Sequence, residues 1–338
     1  MKLLLPLLVV LLVNGTAASS LVSIYDETGN LLFETGLEVA VGDYFLDPDN
    51  RKYIIFEVQE ATARARYLET VSLEERFPKD TFQRGLLGAA ADVVRFDRIG
   101  LYHTHDAEAY LPTSGVQAKE EGDILQVGRT MAQCLEEEGV QVLHRDTSHA
   151  PIDGLAYQRS RRTATELTQQ KVDALFDIHR DSPPAHVYAH RLAGEDLTKI
   201  LLVIGAGNPM MSLNEEFALA LKHYADQEYP GLIRGIYYSR GSFNQDLHPR
   251  ALLLEVGTVH SNLEEAQRGA QLMAQVVTTV LYGAGVGLLS EAQNTSAAWL
   301  VILVLILVSI ALLLDRERYQ RFNQWVRRLR DRLFRPRV

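Results

Sequence analysis

The runs Ile200 to Ile204 and Ala251 to Leu254 are apolar at every position. A strand with one face in water alternates polar and apolar side chains, so runs like these belong to strands covered on both faces. From about Arg98 such strands alternate with helical stretches. RIGLYHTH is followed by a helix over 117–138 and VQVLH by one near 157–171; VDALFDIH leads to KILLVIG, a helix near 213–226, ALLLEVG and a last helix over 263–282. This order specifies an α/β domain over 96–283, with a mainly parallel sheet flanked by helices. Residues 19–95 read as a small β-rich unit in front of it. Turns are expected at Thr28-Gly29-Asn30 and Asp47-Pro48-Asp49-Asn50, and no cluster of metal ligands or nucleophiles occurs there.

In open α/β sheets ligands bind beyond the carboxyl ends of the strands, so polar side chains at those ends carry the chemistry. Three ends stand out. The first, His103-Thr104-His105-Asp106-Ala107-Glu108, puts two imidazoles and a carboxylate where a strand becomes a loop. His103 and His105 share a side if the strand persists, and Glu108 folds back once the chain turns. The second is Asp177-Ile178-His179-Arg180-Asp181, which closes the apolar run starting at Val172. A lone histidine there is an ordinary hydrogen-bonded core residue, whereas His, Glu and His from two neighbouring strand ends make a three-ligand zinc site with a position left for water.

The third is Glu255, a carboxylate inside an apolar strand. An unpaired buried charge is strongly unfavourable, so Glu255 has to be paired, protonated or turned toward a metal. Beside a zinc-activated water it supplies the general base for hydrolysis. Arg180 steadies a developing oxyanion, binds a substrate carboxylate, or pairs with Asp177 or Asp181. His144, His149, His186, His190, His223, His248 and His260 lack a strand-end carboxylate partner and are read as surface residues. Gly205-Ala206-Gly207-Asn208 lacks the full glycine pattern of a nucleotide loop.

Lys2, the apolar run Leu3 to Val13 and the small residues Gly15 to Ser19 read as a secretory signal over 1–18. A flexible linker over 284–295 precedes a second apolar run, expected to cross the membrane over 296–314, long enough at 1.5 Å per residue for a hydrocarbon core of about 30 Å. The tail over 315–338 carries nine arginines beginning with Arg316, which the positive-inside bias places in the cytoplasm. Its Phe322, Trp325, Leu329 and Leu333 suit either a helix lying on anionic lipid or a solvated stop-transfer tail. The net charge of −9 includes this basic tail, so the exported part is more acidic than the total, which argues against nucleic acid as a partner. Cys134 is the single cysteine and leaves no intramolecular disulfide, in keeping with a Gram-positive envelope.

The stretches LYHTHDAEAYLP, DIHRD, KILLVIGAGNP, YPGLIRGI and FNQDLHPRALLLEVGT, with GDYF and DNRKYIIFEV before them, resemble the stage II sporulation protein P family and, more distantly, zinc N-acetylmuramoyl-L-alanine amidases. The resemblance covers about Leu21 to Tyr282. It implies peptidoglycan as substrate, cut between the muramic lactyl group and L-alanine, with an endopeptidase cut in the cross-linking peptides, in septal wall thinning and engulfment during sporulation. It further implies Zn2+ on His105, Glu108 and His179, with Glu255 as catalytic glutamate and His103 the alternative to His105. The membrane and stage II sporulation proteins D and M are the partners it suggests. The anchor departs from the family's pattern of a tether near the N-terminus. A housekeeping cell-separation amidase and a non-catalytic wall-binding scaffold stand as the other readings.

Overall fold

The computed structural model describes residues 21–78, 80–89 and 95–283, with Gln320, Gln324, Trp325 and Arg328 near the C-terminus. The signal over 1–18, the linker over 284–295 and the apolar segment over 296–314 lie outside the described residues, as does most of the tail over 315–338. Among the described residues no helix is long and apolar enough to cross a membrane.

In chain order the strands and long helices are β1 (Val22–Tyr25), β2 (Leu31–Thr35), β3 (Tyr44–Leu46), β4 (Arg51–Gln59), β5 (Thr62–Thr70), β6 (Arg98–Tyr102), α1 (Ile124–Glu137), β7 (Gln141–His144), α2 (Ala156–Gln169), β8 (Ala174–Asp181), β9 (Ala189–Leu192), β10 (Glu195–Thr198), β11 (Ile200–Gly205), α3 (Met211–Glu228), β12 (Ile233–Ser239), β13 (Ala251–Thr258) and α4 (Leu263–Tyr282). Strands β9 and β10 form a separate hairpin, and the rest make one sheet in the order β2-β1-β5-β4-β3-β12-β11-β13-β8-β6-β7.

This sheet is mixed rather than mainly parallel. The run β13-β8-β6-β7 and the pair β11–β12 are parallel, as helical crossovers require, but β13 returns antiparallel to β11. Strands β1 to β5 are mostly antiparallel, the pair β1–β5 being parallel. The expected small unit over 19–95 is also not separate. Tyr44 to Leu46 pair with Ile236 to Tyr238, so the first five strands continue the sheet of the larger domain. The described residues between 21 and 283 belong to one compact unit.

The two faces explain the uninterrupted apolar runs. One face, including Phe176, Ile178, Ile204 and Leu254, packs against α1, α3 and α4 through Val127, Met131, Phe217 and Val277. The other face is shared. Helix α2 covers β6 and β8 through Ala164, Leu167 and Leu175, while Phe33, Phe45, Tyr53 and Ile55 of the N-terminal strands cover Leu201, Val203, Tyr237 and Leu253. The N-terminal strands thus curl over the part of this face beside α2 and the short helix Ala185–Tyr188. Helix α1 begins later than the expected 117, because residues 109–122 are tied by backbone bonds to the loop after β6.

Candidate metal centre

Strand β6 ends at Tyr102, so the next residues are free of the strand's alternation and His103 and His105 part company. His103 is buried; its Nδ1–H donates to Ile178 O at 3.0 Å, and its Nε2 lies 2.8 Å from Nε2 of His144. Burial, with His144 beside it, pushes the His103 pKa down to about 3. In its neutral form Nε2 therefore accepts from His144. The ring is built into the core, against Gly128 of α1, where a Cβ would meet His103 Nε2 at 2.5 Å.

His105 turns the other way. Its Nδ1 lies 3.4 Å from Glu108 Oε1, and its ring meets that of His179 edge-on at 4.8 Å. Glu108 is buried and aimed inward, its Oε2 accepting the backbone N–H of Arg180 at 2.9 Å and lying 3.9 Å from His179 Nδ1. Donor atoms of His105, Glu108 and His179 all lie within 4.8 Å of one another. A tetrahedral zinc site with bonds of about 2.0–2.1 Å has donors about 3.3 Å apart, so the set is slightly wider than a bound one and needs only small side-chain movement to close.

The charges around the cluster fit a cation. Burial opposes the imidazolium of His179, but Asp177, Glu108 and Glu255 outweigh it and raise its pKa to about 9. Burial likewise raises Glu108, yet Arg180, His105 and His179 hold its carboxyl down at about 2. Burial, with Asp181 and Glu108 adding to it, drives Glu255 well above the usual carboxylate range despite His179 and Arg180. Its Oε2 is buried without a hydrogen-bond partner. Glu255 pairs across the sheet with His179, and just after it the register breaks at a bulge where Gly257 adopts a φ of 72°. Two imidazoles and the Glu108 carboxylate converging beside an orphaned oxygen of Glu255 fit a divalent metal.

Arg180 does not make the expected ion pair with Asp177 or Asp181. Its guanidinium donates to Ala109 O at 3.2 Å and Gln117 O at 2.9 Å, with a longer contact to Asp181 O at 3.5 Å, and so clasps the loop that carries Glu108. Several neighbours were not legible as site residues. Tyr157 of α2 stacks on the His179 ring at 6.2 Å, meets His105 edge-on at 5.7 Å and packs against Phe243. Phe243 and Asn244 hold consecutive positive φ values, fixed by the Asn244 amide on Tyr157 O and Ser160 Oγ. His149 and His223 are buried rather than on the surface. His149 donates to His103 O at 2.7 Å and accepts from Thr163 Oγ1 at 2.8 Å, and His223 stacks with Phe77.

A family model described as Stage II sporulation protein P (SpoIIP) matches residues 72–278. The chain belongs to this family. The match contains all of the cluster, from His105 to Glu255. The Stage II sporulation protein P of Bacillus subtilis (strain 168) is 32% identical over 205 residues, 54% of this chain and 51% of that relative. The aligned part thus spans about half of the relative's length. Among solved structures, the catalytic domain of CwlV, an N-acetylmuramoyl-L-alanine amidase from Bacillus (Paenibacillus) polymyxa var. colistinus, overlaps with a TM-score of 0.39 at 16% identity, covering 54% of this chain and 97% of that one. An N-acetylmuramoyl-L-alanine amidase from Clostridium difficile 630 gives 0.37 at 16% identity, with 54% and 95% covered. Overlaps this loose say nothing about chemistry, and the functional reading rests on the side chains.

Proposed function

We propose that this SpoIIP family member is a zinc-dependent peptidoglycan hydrolase that cuts the amide between the muramic lactyl group and L-alanine, and peptide cross-links as well, during sporulation. The observation that carries the reading is the buried Oε2 of Glu255, without a partner, beside the converging His105, Glu108 and His179. A wall-binding scaffold has no use for such an oxygen. Family membership favours sporulation over vegetative cell separation.

His105, Glu108 and His179 would hold the metal, which supplies Lewis-acid polarisation of a carbonyl and acidifies a water. Glu255, buried next to His179 across the sheet, would take a proton and return it to the leaving amine. Glu108 and Glu255 are driven in opposite directions, and such divergence is how two carboxylates in one site divide ligand and acid–base duties. Arg180 keeps the Glu108 loop in place from both its backbone and its guanidinium. Tyr157 fences one side of the cluster and shields His179 from water.

Anchoring at the outer membrane face through the segment over 296–314, with the tail over 315–338 in the cytoplasm, is part of the same proposal, as are stage II sporulation proteins D and M as partners. It is supported by the charge and hydropathy pattern of the chain. Mass spectrometry of muropeptides released from purified wall by the full chain, with and without a chelator, tests the chemistry. Expected are new L-alanine amines that a chelator abolishes. Release of reducing sugar ends instead would make the protein a glycosidase and end this reading.

A further inference from the structure

Asp177 stands two residues before His179 on the same face of β8 and is buried. Its Oδ1 accepts the backbone N–H of Thr104 at 2.8 Å, and its Oδ2 accepts the Thr104 hydroxyl at 2.6 Å. Thr104 adjoins His105. The same Oδ1 lies 2.9 Å from Nε2 of His179, within hydrogen-bond distance although off the axis of an aligned bond. Nδ1 of that ring is the nitrogen that faces Glu108.

Resting on the metal-site reading above, we propose that Asp177 is the positioning residue that fixes His179, holding its proton on Nε2 so that the lone pair of Nδ1 is presented to the metal. A carboxylate only accepts, so a ring nitrogen beside it must donate. Neutral imidazole carries one N–H, and placing it on Nε2 leaves Nδ1 bare. The backbone N–H of Thr104, bound to Oδ1, keeps that oxygen from swinging away, and it joins this control of the ring to the segment that carries His105. Carboxylate partners of this kind orient metal-bound histidines and alter affinity by about 10–100-fold when removed.

Asp177→Asn is the informative change because it keeps shape and inverts hydrogen-bonding character. Either the asparagine oxygen takes the place of Oδ1, accepting from Thr104 N–H beside the ring with the charge gone and the amide on the Thr104 hydroxyl, or the amide takes that place and faces the ring. An amide that donates to Nε2 moves the ring proton to Nδ1 and blocks the ligand position. Thr104→Val is the control, since it removes the bond to Oδ2 and leaves Oδ1 beside His179.

Zinc affinity of the full chain, measured by competition with a chromophoric chelator, gives a readout apart from activity. Expected is a loss of about 10–100-fold for Asp177→Asn and near wild-type affinity for Thr104→Val. Unchanged affinity in Asp177→Asn, or equal losses in both variants, overturns the proposal. The metal site itself survives that result as long as wild type binds zinc, whereas wild type that binds none removes the reading beneath it. Should Asp177→Asn fail to fold, NMR of cadmium-loaded wild type with isotope-labelled histidine decides the matter. Metal on Nδ1 and the proton on Nε2 of His179 are expected, and the reverse arrangement refutes the assignment.

Discussion

Thr35, at the end of β2, donates its hydroxyl to Oδ2 of Asp181, at the end of β8, at 2.9 Å. The next residue, Gly36, gives its N–H to Oδ1 at 2.7 Å, and Tyr188 donates to Oδ2 at 2.9 Å. A carboxylate two residues beyond His179 is thereby held by the first sixth of the chain. Thr35→Val removes one donor from a buried charge and is expected to lower stability by about 1–3 kcal/mol. Urea unfolding of residues 21–283 measures it, and an unchanged midpoint would show that the link is dispensable.

Residues 21–283 expressed alone are expected to be soluble and folded, because the core closes within that span. Starting instead at residue 71 strips the cover from Leu201, Val203, Tyr237 and Leu253. That shorter fragment is expected to aggregate or bind a hydrophobic dye. A monodisperse, cooperatively unfolding product would show that the N-terminal strands are an accessory rather than part of the fold.

Metal content separates ligands from base. Glu108→Ala and His179→Ala each remove one of three donors and are expected to lose zinc, while Glu255→Gln keeps zinc and loses about 100-fold or more in turnover. Elemental analysis beside muropeptide release checks both. Equal zinc loss in all three would make Glu255 a ligand.

His248 offers a pH-dependent test away from the cluster. Its Nε2–H donates to Val172 O at 3.1 Å and its Nδ1 accepts the backbone N–H of Arg250 at 3.1 Å, an arrangement only the neutral ring satisfies. Burial, with the Arg250 charge, lowers its pKa to about 4. The unfolded chain, with an ordinary histidine near 6.5, binds the proton first, so this group's contribution is complete above about pH 6.5 and is lost as pH falls toward 4. His248→Gln is expected to flatten the fall of the thermal midpoint between pH 7 and 4. Parallel curves for variant and wild type would contradict this.

The cluster was legible because metal ligands have to be specific residue types at strand ends, and His105, Glu108, His179 and Glu255 are conspicuous among apolar neighbours. What separates His105 from His103 is where β6 stops, and that depends on Ile178 O and His144 coming to meet the His103 ring. Neither is encoded locally. The contacts of Arg180 were not legible because its partners are backbone carbonyls, which leave no trace in a pattern of charges. Tyr157 is likewise invisible, one aromatic residue at the start of an arginine-rich helix until the fold lays it on His179.

The sheet's direction was misjudged for a related reason. Apolar runs such as β11 and β13 report burial on both faces and not the sense of pairing, and their antiparallel register follows from the path of the chain through the loop after β12. The hairpins near Gly29 and Asp49 were readable from turn residues, but nothing in residues 22–70 announces that Tyr44 to Leu46 join β12.

The curled N-terminal strands bear on how this protein can be recombined with its relatives. The span that matches the family is 72–278, yet the lining over Leu201, Val203, Tyr237 and Leu253 comes from residues before it. Exchanging only the matched span between two relatives would set one protein's aromatic plug, Phe33, Phe45 and Tyr53, against another's floor. Chimeras cut at residue 72 should therefore succeed or fail on steric compatibility at that seam, whatever the fate of His105, Glu108 and His179, and the natural crossover point lies upstream of Val22.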